Sequence, residues 1–514
     1  MMSDAERFIA DHVRQVETLF RQSGLAWWDA ETTGTDEAHA RAKRLNAEIM
    51  RIYADASTYE QLRLWVSSPP DDSHLGRQVT ILYLAYASGQ RDATTIDQVA
   101  ELEQQVQQTY TNHRGHYDGR ELSDNEIDNV LNTETESSRV HEAWAASKEV
   151  GSKVAADIIE LVRLRNEAAR RLGYDNHYEK SLVLSEIDPT RLFATLDELD
   201  RLTAGPFRRE IDVLNQRLAD RFGLHIENLR PWHYGDVFFQ RPPRSDNQDL
   251  DGLFANRSLE DLAVRTFDGL GLDVRDILAR SDLYARPGKN QHAFCTHIDR
   301  ADDVRVLCNL EPNVRWAETL LHELGHGVYD KYLDRDLPFI LRTPAHTMST
   351  EAIAMLMGRL PLDAEWLRKV ANVPVDEVSQ IAIRVAAQQR LAMLIFVRWV
   401  LVMVHFERSM YRDPDQNLNS LWWDLVERYQ MIRRPDERDA PDWAAKLHLA
   451  LAPVYYQNYM LGELLASHTA HWLTALAGGL VDRTEAGSLL RDRVFRPGAT
   501  RDWETRIVEA TGEP

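Results

Sequence analysis

The feature that most constrains this chain is the stretch of residues 316–333, which contains the pattern His-Glu-x-x-His. Two histidines four positions apart project from one face of an α-helix, one turn from each other. His322 and His326 can therefore bind a single Zn²⁺, at the roughly 2.0–2.1 Å that imidazole nitrogens prefer. Glu323 lies one step round the helix, where it can take a proton from water without being a ligand. The pattern predicts a buried helix that carries a metal site.

An alternative interpretation is a buried helix with two structural histidines, because the motif has few fixed positions and also occurs by chance. A catalytic zinc site needs a third protein ligand and leaves one position open. The best candidate is Glu351, a carboxylate in the otherwise apolar run 349–357. Burying an unpaired charge is expensive, and a metal would neutralise it. Glu351 could instead be an acid at a helix N-terminus capped by Ser349 or Thr350. We predict one Zn²⁺ per chain on the two histidines and Glu351.

Composition limits the kinds of partner and the cellular compartment that we expect for this chain. The chain has 514 residues and a net charge of -21, which argues against nucleic acid or an anionic membrane surface as a partner. The N-terminus lacks an apolar signal-peptide core, and no uninterrupted run of about 18 apolar residues occurs. Cys295 and Cys308 are the only cysteines, so no disulfide framework is expected. We therefore expect a cytoplasmic protein without a membrane partner. The sequence indicates no oligomeric state.

Most of the chain places apolar residues at three- and four-residue spacing, which predicts a mostly all-α fold. Asp188 followed by Pro189 predicts a helix start. Residues 291–310 instead read as strand, turn and strand, a small β-hairpin next to the zinc helix. Other expected features are helices over 6–25, 36–66, 124–171, 205–221, 376–412 and 417–432, an interruption of helix at 27–35, a loop over 115–124, a break at 67–72 and an irregular stretch at 230–247.

A series of short motifs runs along the chain in a defined order. They are Trp28 with Thr32-Thr33-Gly34-Thr35, Arg165-Asn166-Glu167-Ala168-Ala169-Arg170, Leu172-Gly173-Tyr174, His292-Ala293, the His322–His326 motif, Asp336-Leu337-Pro338, Leu341-Arg342, Glu351-Ala352-Ile353, Lys446-x-His448 and Tyr456-x-x-Tyr459. In these motifs the chain resembles the angiotensin-converting-enzyme-like family of zinc peptidyl-dipeptidases. More distantly, it resembles the thimet-type oligopeptidases.

The resemblance implies a bilobed, mostly all-α zincin-like metallopeptidase with a deep central cleft. One domain would span residues 1–514, with a helical lid-like region at 1–120 and the zinc and catalytic core at 290–465. The implied activity is removal of C-terminal dipeptides from short peptides.

The resemblance also assigns roles. His322, His326 and Glu351 look like the metal ligands, and Glu323 looks like the general base and acid. His448 and Tyr459 match the residues that bind and polarise the scissile carbonyl. Such donors suit a developing oxyanion.

Two further pairs of residues match the substrate-binding positions of the family. Lys446 and Tyr456 match groups that hold the substrate's C-terminal carboxylate, for which an ammonium is well suited. His292 and Ala293 fall where the family's edge strand pairs with extended peptide. The alternative for the tyrosines is an aromatic core stripe, because Tyr455, Tyr456 and Tyr459 have helical spacing.

Three positions depart from the family pattern. Met355 stands where relatives carry an acidic residue that supports the zinc site. Tyr234 falls near the family's carboxylate-binding Gln, and Asn458 replaces an Arg that ligates chloride in some members. An oligopeptidase or a carboxypeptidase of the same type is therefore the runner-up. A catalytically silent, peptide-binding relative is the third candidate.

Overall fold

The computed structural model describes residues 3–90, 93–244 and 250–513. It is 70% helical, which confirms the mostly α prediction. The α-helices of the described residues are α1 (Asp4–Thr33), α2 (Asp36–Tyr53), α3 (Ala56–Ser67), α4 (Ser73–Gly89), α5 (Ala93–Asn112), α6 (Asp124–Thr133), α7 (Ser137–Arg171), α8 (His177–Leu184), α9 (Pro189–Phe222), α10 (Leu259–Leu270), α11 (Arg275–Arg280), α12 (Val314–Lys331), α13 (Thr347–Gly358), α14 (Ala364–Lys369), α15 (Val375–Arg412), α16 (Leu418–Leu425), α17 (His448–Leu451), α18 (Tyr456–Ala477), α19 (Thr484–Leu489) and α20 (Trp503–Thr511).

The chain divides into two compact units. Unit 1 comprises residues 1–90, 248–383 and 461–514, and unit 2 comprises 91–247 and 384–460. The helices α12 and α13 belong to unit 1, whereas α17 and the first residues of α18 belong to unit 2. The lid-like role predicted for residues 1–120 stays a prediction.

Several predicted helix boundaries differ from those observed. The expected interruption at 27–35 is mostly helical, because α1 continues to Thr33 and ends at Gly34, whose left-handed backbone (φ 65°) suits glycine. The predicted helix 36–66 is two helices, because the side chain of Asp55 accepts a hydrogen bond from Thr58 N–H and caps α3. Asp188 caps α9 as predicted, but that helix runs unbroken to Phe222.

The irregular stretch predicted at 230–247 is non-α-helical in its described part, with a 3₁₀ turn at Pro231–Tyr234. Its last residues, 245–247, lie outside the described residues.

The predicted hairpin is present but shorter than expected. Strand β3 (Phe294–His297) pairs antiparallel with β4 (Val304–Leu307), with Cys295 opposite Val306. A second hairpin lies earlier in the chain, where β1 (Gly115–Tyr117) pairs antiparallel with β2 (Arg120–Leu122). That segment was wrongly predicted as a loop. Asp118-Gly119 at positive φ is the two-residue turn that favours a hairpin.

Helix α15 is the one helix among the described residues that is long and apolar enough to cross a membrane by length and composition. Within the structure, 67% of its most apolar window is buried. The core helix of a soluble protein passes the same test of length and composition.

The apolar core of unit 1 surrounds α12. Leu320, Leu321, Leu324 and Val328 are buried there, as the apolar face of the helix predicts. α12 crosses α13 so closely that a Cβ built on Gly325 would lie 2.7 Å from Cα of Ala354. A glycine is therefore required where the two helices meet.

We predict that Gly325→Ala lowers the free energy of unfolding by up to about 2 kcal/mol. Overpacking costs roughly 1–3 kcal/mol, and alanine returns about 1 kcal/mol of this in a helix interior. Zinc affinity should fall as well, since α13 carries Glu351. Urea unfolding of the metal-free protein and a zinc titration provide the measurements.

Gly327→Ala is the matched control in the same helix. Its Cβ would meet the flexible end of Ile277 at 3.3 Å rather than main chain. If both variants have equal stability and zinc affinity, the crossing of α12 and α13 does not require a glycine at position 325.

Candidate metal centre and active site

The metal-binding side chains come from two crossing helices of unit 1. α12 begins at Asn313, whose side chain accepts a hydrogen bond from Trp316 N–H. This helix presents His322 and His326 with ring centroids 5.0 Å apart. Both imidazoles are half-buried and face the carboxylate of Glu351 on α13. The structure therefore brings together the three ligands predicted from the sequence.

The distances suit one small cation. Nε2 of His322 lies 3.6 Å from Oε1 of Glu351, and Nε2 of His326 lies 3.5 Å from Oε2. All three ligand atoms fall within 4.8 Å of one another. Ligands at about 2.0–2.1 Å from a tetrahedral zinc lie about 3.3 Å apart. Two imidazoles and one carboxylate are also the donor set of many catalytic zinc sites. The residues fit Zn²⁺.

The protonation of these groups follows from burial and their proximity. Burial lowers the pKa of His322 to about 4, so this ring is neutral, as a ligand must be. Burial acts to lower the pKa of His326, but the hydrogen bond and charge of Glu351 outweigh it and raise that pKa. Burial acts to raise the pKa of Glu351, but its bond to His326 and the two imidazole charges lower it. A cation in the site would replace the proton on His326.

Thr350 orients the second ligand. Its Oγ1 lies 2.8 Å from Nδ1 of His326. Because Nε2 of His326 faces Glu351, Nδ1 carries a proton and donates a hydrogen bond to the hydroxyl oxygen of Thr350. The alternative in which Ser349 or Thr350 caps the helix does not hold, because α13 is capped by His346. The sequence offered no sign of the Thr350 contact, which joins residues 24 positions apart.

Glu323 is held beside the metal ligands and is 8% exposed. Burial raises its pKa to about 7, although a hydrogen bond from the backbone N–H of Cys295 acts in the opposite direction. This bond ties the carboxylate to strand β3. The hairpin therefore helps to place the candidate base.

His292 and Ala293 were expected on the edge strand. They lie just before β3, which begins at Phe294, so neither belongs to the strand. His292 is exposed, and its N–H donates to the side chain of Asn290. The hairpin ladder extends only from Phe294 to His297, and this short pairing explains the difference. Among the described residues, β3 pairs only with β4.

Unit 2 contains the other predicted site residues as a group of their own. The ring of His448 lies 5.2 Å from that of Tyr456, and the latter lies 5.5 Å from the ring of Tyr459. Lys446 Nζ lies 5.7 Å from the ring centroid of Tyr456. Burial lowers the pKa of Lys446 to about 8 and that of His448 to about 4. At neutral pH the lysine is therefore mostly charged and the histidine neutral.

Gln240 contacts one of the predicted site residues, and sequence reasoning missed this contact. Its Oε1 accepts a hydrogen bond of 2.7 Å from Lys446 Nζ. Tyr234, which falls near the family's Gln position, is instead buried and donates its hydroxyl to Asn215. The sequence signal for Gln240 was weak: this glutamine lies six positions after Tyr234, near which the family's Gln falls. The irregular stretch around it, with several aromatic residues, obscured that signal.

Comparison with known proteins confirms the family resemblance. Residues 1–203 match the family model of peptidase M2, described as angiotensin-converting enzyme, and residues 277–514 match that of peptidase family M3. Similar proteins include angiotensin-converting enzyme of Oryctolagus cuniculus, 21% identical over 572 residues, covering 100% of this chain and 42% of the relative. The same enzyme of Rattus norvegicus is 23% identical over 431 residues, covering 76% of this chain and 32% of the relative.

A third similar protein is the inactive angiotensin-converting enzyme-related protein of Caenorhabditis elegans. It is 19% identical over 381 residues, which cover 64% of this chain and 40% of the relative. The chain thus spans less than half the length of these three relatives.

We predict that Thr350→Val weakens zinc binding by about 10- to 100-fold, the usual effect of removing a partner of a metal ligand. Without the hydroxyl, the tautomer and ring orientation of His326 are no longer fixed. Competition with a coloured chelator measures the affinity. Thr350→Ser keeps the hydroxyl and should stay close to the parent protein; zinc binding by the valine variant that is as tight as the parent's contradicts the assigned role.

Proposed function

We propose that this chain, a relative of the angiotensin-converting-enzyme-like zinc peptidases, is a zinc-dependent metallopeptidase that hydrolyses short peptides. The observation that carries the proposal is the set of three ligand atoms on α12 and α13. Three protein ligands and an open position are typical of catalytic zinc sites, whereas structural sites usually have four ligands. A buried carboxylate beside this set, Glu323, supports a hydrolytic role.

The proposed mechanism uses Glu323 twice. His322, His326 and Glu351 would hold the ion. When bound, zinc polarises a peptide carbonyl and lowers the pKa of a water molecule to about 7. Glu323 takes the proton of the attacking water and then passes it to the departing amine. Its pKa of about 7 supports both steps, since such a group accepts and releases protons near neutral pH.

His448 and Tyr459 are the proposed donors to the developing oxyanion. The neutral imidazole N–H and the phenol O–H can each donate one hydrogen bond. Removal of one such donor typically costs about 10²–10³ in rate. Their grouping with Tyr456 in unit 2 supports a shared role.

The finer proposal is removal of C-terminal dipeptides. A free C-terminus would be held by the ammonium of Lys446 and the phenol of Tyr456, with the amide N–H of Gln240 as a further donor. The hydrogen bond between Lys446 and Gln240 supports this arrangement, because it keeps the ammonium in place before a substrate arrives. His292 and Ala293 remain proposed contacts to the peptide main chain.

Two alternatives remain. The match of residues 277–514 to peptidase family M3 favours an oligopeptidase or carboxypeptidase of the same type. The similarity to an inactive relative raises a silent, peptide-binding protein. The presence of Glu323 and of all three ligands counts against the silent alternative. In each case we propose a cytoplasmic protein whose partners are short peptides rather than nucleic acid or membrane.

We predict that Glu323→Gln binds zinc like the parent but loses nearly all turnover. The amide has the same shape but cannot take a proton, and such a base contributes about 10²–10⁴-fold to the rate. Zinc content by elemental analysis and kcat on a fluorogenic peptide check both parts. Removal of zinc from the parent by chelator should abolish turnover, and added zinc should restore it. Unchanged kcat in the variant rules out the mechanism.

A hexapeptide with either a free or an amidated C-terminus distinguishes the alternatives. We expect chelator-sensitive loss of two residues from the free peptide, followed by mass spectrometry. Lys446→Met should lower kcat/KM for the free peptide by about 10- to 100-fold, because a hydrogen bond to a charged group is lost. The amidated peptide should respond little. Internal cuts indifferent to amidation favour the oligopeptidase, and zinc binding without any cleavage favours the silent relative.

A further inference from the structure

The turn between α17 and α18 contains a strained residue. Val454 has a φ of +56°, a region that β-branched residues avoid. Such a conformation costs about 1–3 kcal/mol and persists only where the surroundings impose it. The turn joins His448, at the start of α17, to Tyr456, at the start of α18. The strain therefore lies between the residues of one proposed catalytic group.

Two buried side chains hold the main chain of Val454. Oε1 of Glu407 accepts a hydrogen bond of 2.7 Å from its N–H. Nε2 of Gln457 donates to its carbonyl oxygen. Glu407 is 1% exposed and Gln457 is 2% exposed. Both polar groups of the strained residue are thus satisfied by groups withdrawn from water.

A third side chain fixes the turn near His448. Arg165 donates a hydrogen bond of 2.5 Å from its guanidinium to the carbonyl oxygen of Ala450, two positions after His448. It also donates to the hydroxyl of Tyr411 and to Glu103. Arg165 begins the motif of residues 165–170, for which the proposed mechanism has no use. The contact gives this motif a role.

We propose that Glu407 is a positioning residue, which imposes the strained turn at Val454 and thereby sets the orientation of Tyr456 and Tyr459 relative to His448. The inference rests on the proposed function, because it assigns the turn to the peptidase mechanism. Glu407 itself touches no substrate in this scheme. It acts through the main chain of the turn.

The chemistry of Glu407 makes the proposal testable by conservative replacement. Burial raises the pKa of this carboxyl to about 8, although the Val454 N–H and the charge of Arg165 act in the opposite direction. At pH 7 the group is mostly a neutral acid, so its role is to accept a hydrogen bond. Glutamine has the same shape and a carbonyl oxygen in the same place. Leucine has similar bulk and accepts none.

The test compares Glu407→Gln and Glu407→Leu in the full-length zinc protein. The leucine variant should lose about 10²-fold in kcat, the cost of a small misplacement at a reacting centre. Its zinc affinity should stay near that of the parent, because the three metal ligands lie on α12 and α13. The glutamine variant should retain most of the kcat. A leucine variant with parental kcat, or a glutamine variant as impaired as the leucine one, overturns the proposal.

Arg398→Leu is the matched control for lost stability. Arg398 lies on the same helix α15, is 1% exposed, and binds Asp200 and Thr203 rather than the turn. It should lower the Tm but leave kcat unchanged below the unfolding transition. A control that loses kcat as Glu407→Leu does means that lost stability explains both, and the proposal fails.

Hydrogen–deuterium exchange provides a readout without peptidase activity. Exchange of residues 450–456 should be up to about tenfold faster in Glu407→Leu but not in Glu407→Gln, since one hydrogen bond is lost. If the parent cleaves no peptide, the proposed function fails, while this measurement still decides whether Glu407 holds the turn. If Glu407→Leu does not fold, Gln457→Leu removes the other bond and should show the same exchange pattern. Parental exchange in the folded variant contradicts the role.

Discussion

The close crossing of α12 and α13 is the constraint on which the metal site depends. Gly325 lies between the two motif histidines and meets the main chain of Ala354. Because Glu351 lies three residues before Ala354, the same contact that packs the helices brings its carboxylate to the imidazoles. Ligand atoms must lie within a few tenths of an ångström of their required positions. The relative positions of His322, His326 and Glu351 therefore depend on the lack of a side chain at Gly325.

The second constraint is the cost of placing charges away from water. Burial raises the pKa of Glu323, whereas the neighbouring imidazoles outweigh burial and lower that of Glu351. Two carboxylates of similar burial are thus pushed to opposite protonation behaviour by their neighbours, the arrangement that separates a proton carrier from a ligand. A cation held by His322, His326 and Glu351 further neutralises this cluster. Metal binding and stability of unit 1 are consequently coupled.

The sequence predicted what depends on local spacing. The four-residue interval in the zinc helix and the isolated carboxylate at Glu351 can both be read along one stretch of chain. The hairpin before α12 and the cap at Asp188 are equally local, and both are present. Loss of periodicity marks a loop less well. The expected interruption at 27–35 is largely helix, because alternate residues there, Trp28 and Ala30 among them, are buried as α1 continues.

What the sequence did not predict depends on contacts between distant residues. The sequence offered Thr350 only the alternative role of a helix cap. The cap is His346, and the Thr350 hydroxyl instead meets an imidazole on another helix. Gln240 lies 206 positions from Lys446. No pattern in a single sequence relates positions so far apart. Polar side chains that bind one specific distant partner therefore have to be located in three dimensions.

Residues 450–457 show the same limit in a stronger form. Glu407 stands in a long apolar helix, where a carboxyl costs free energy unless it is hydrogen-bonded. Val454 adopts a backbone conformation that glycine would adopt without strain. Folding alone favours neither choice. Local rules that fail together at one place mark functional sites, and here the two exceptions are joined by one hydrogen bond. The cost is explained if unit 2 needs His448 and Tyr459 held in one fixed relation more than it needs the stability.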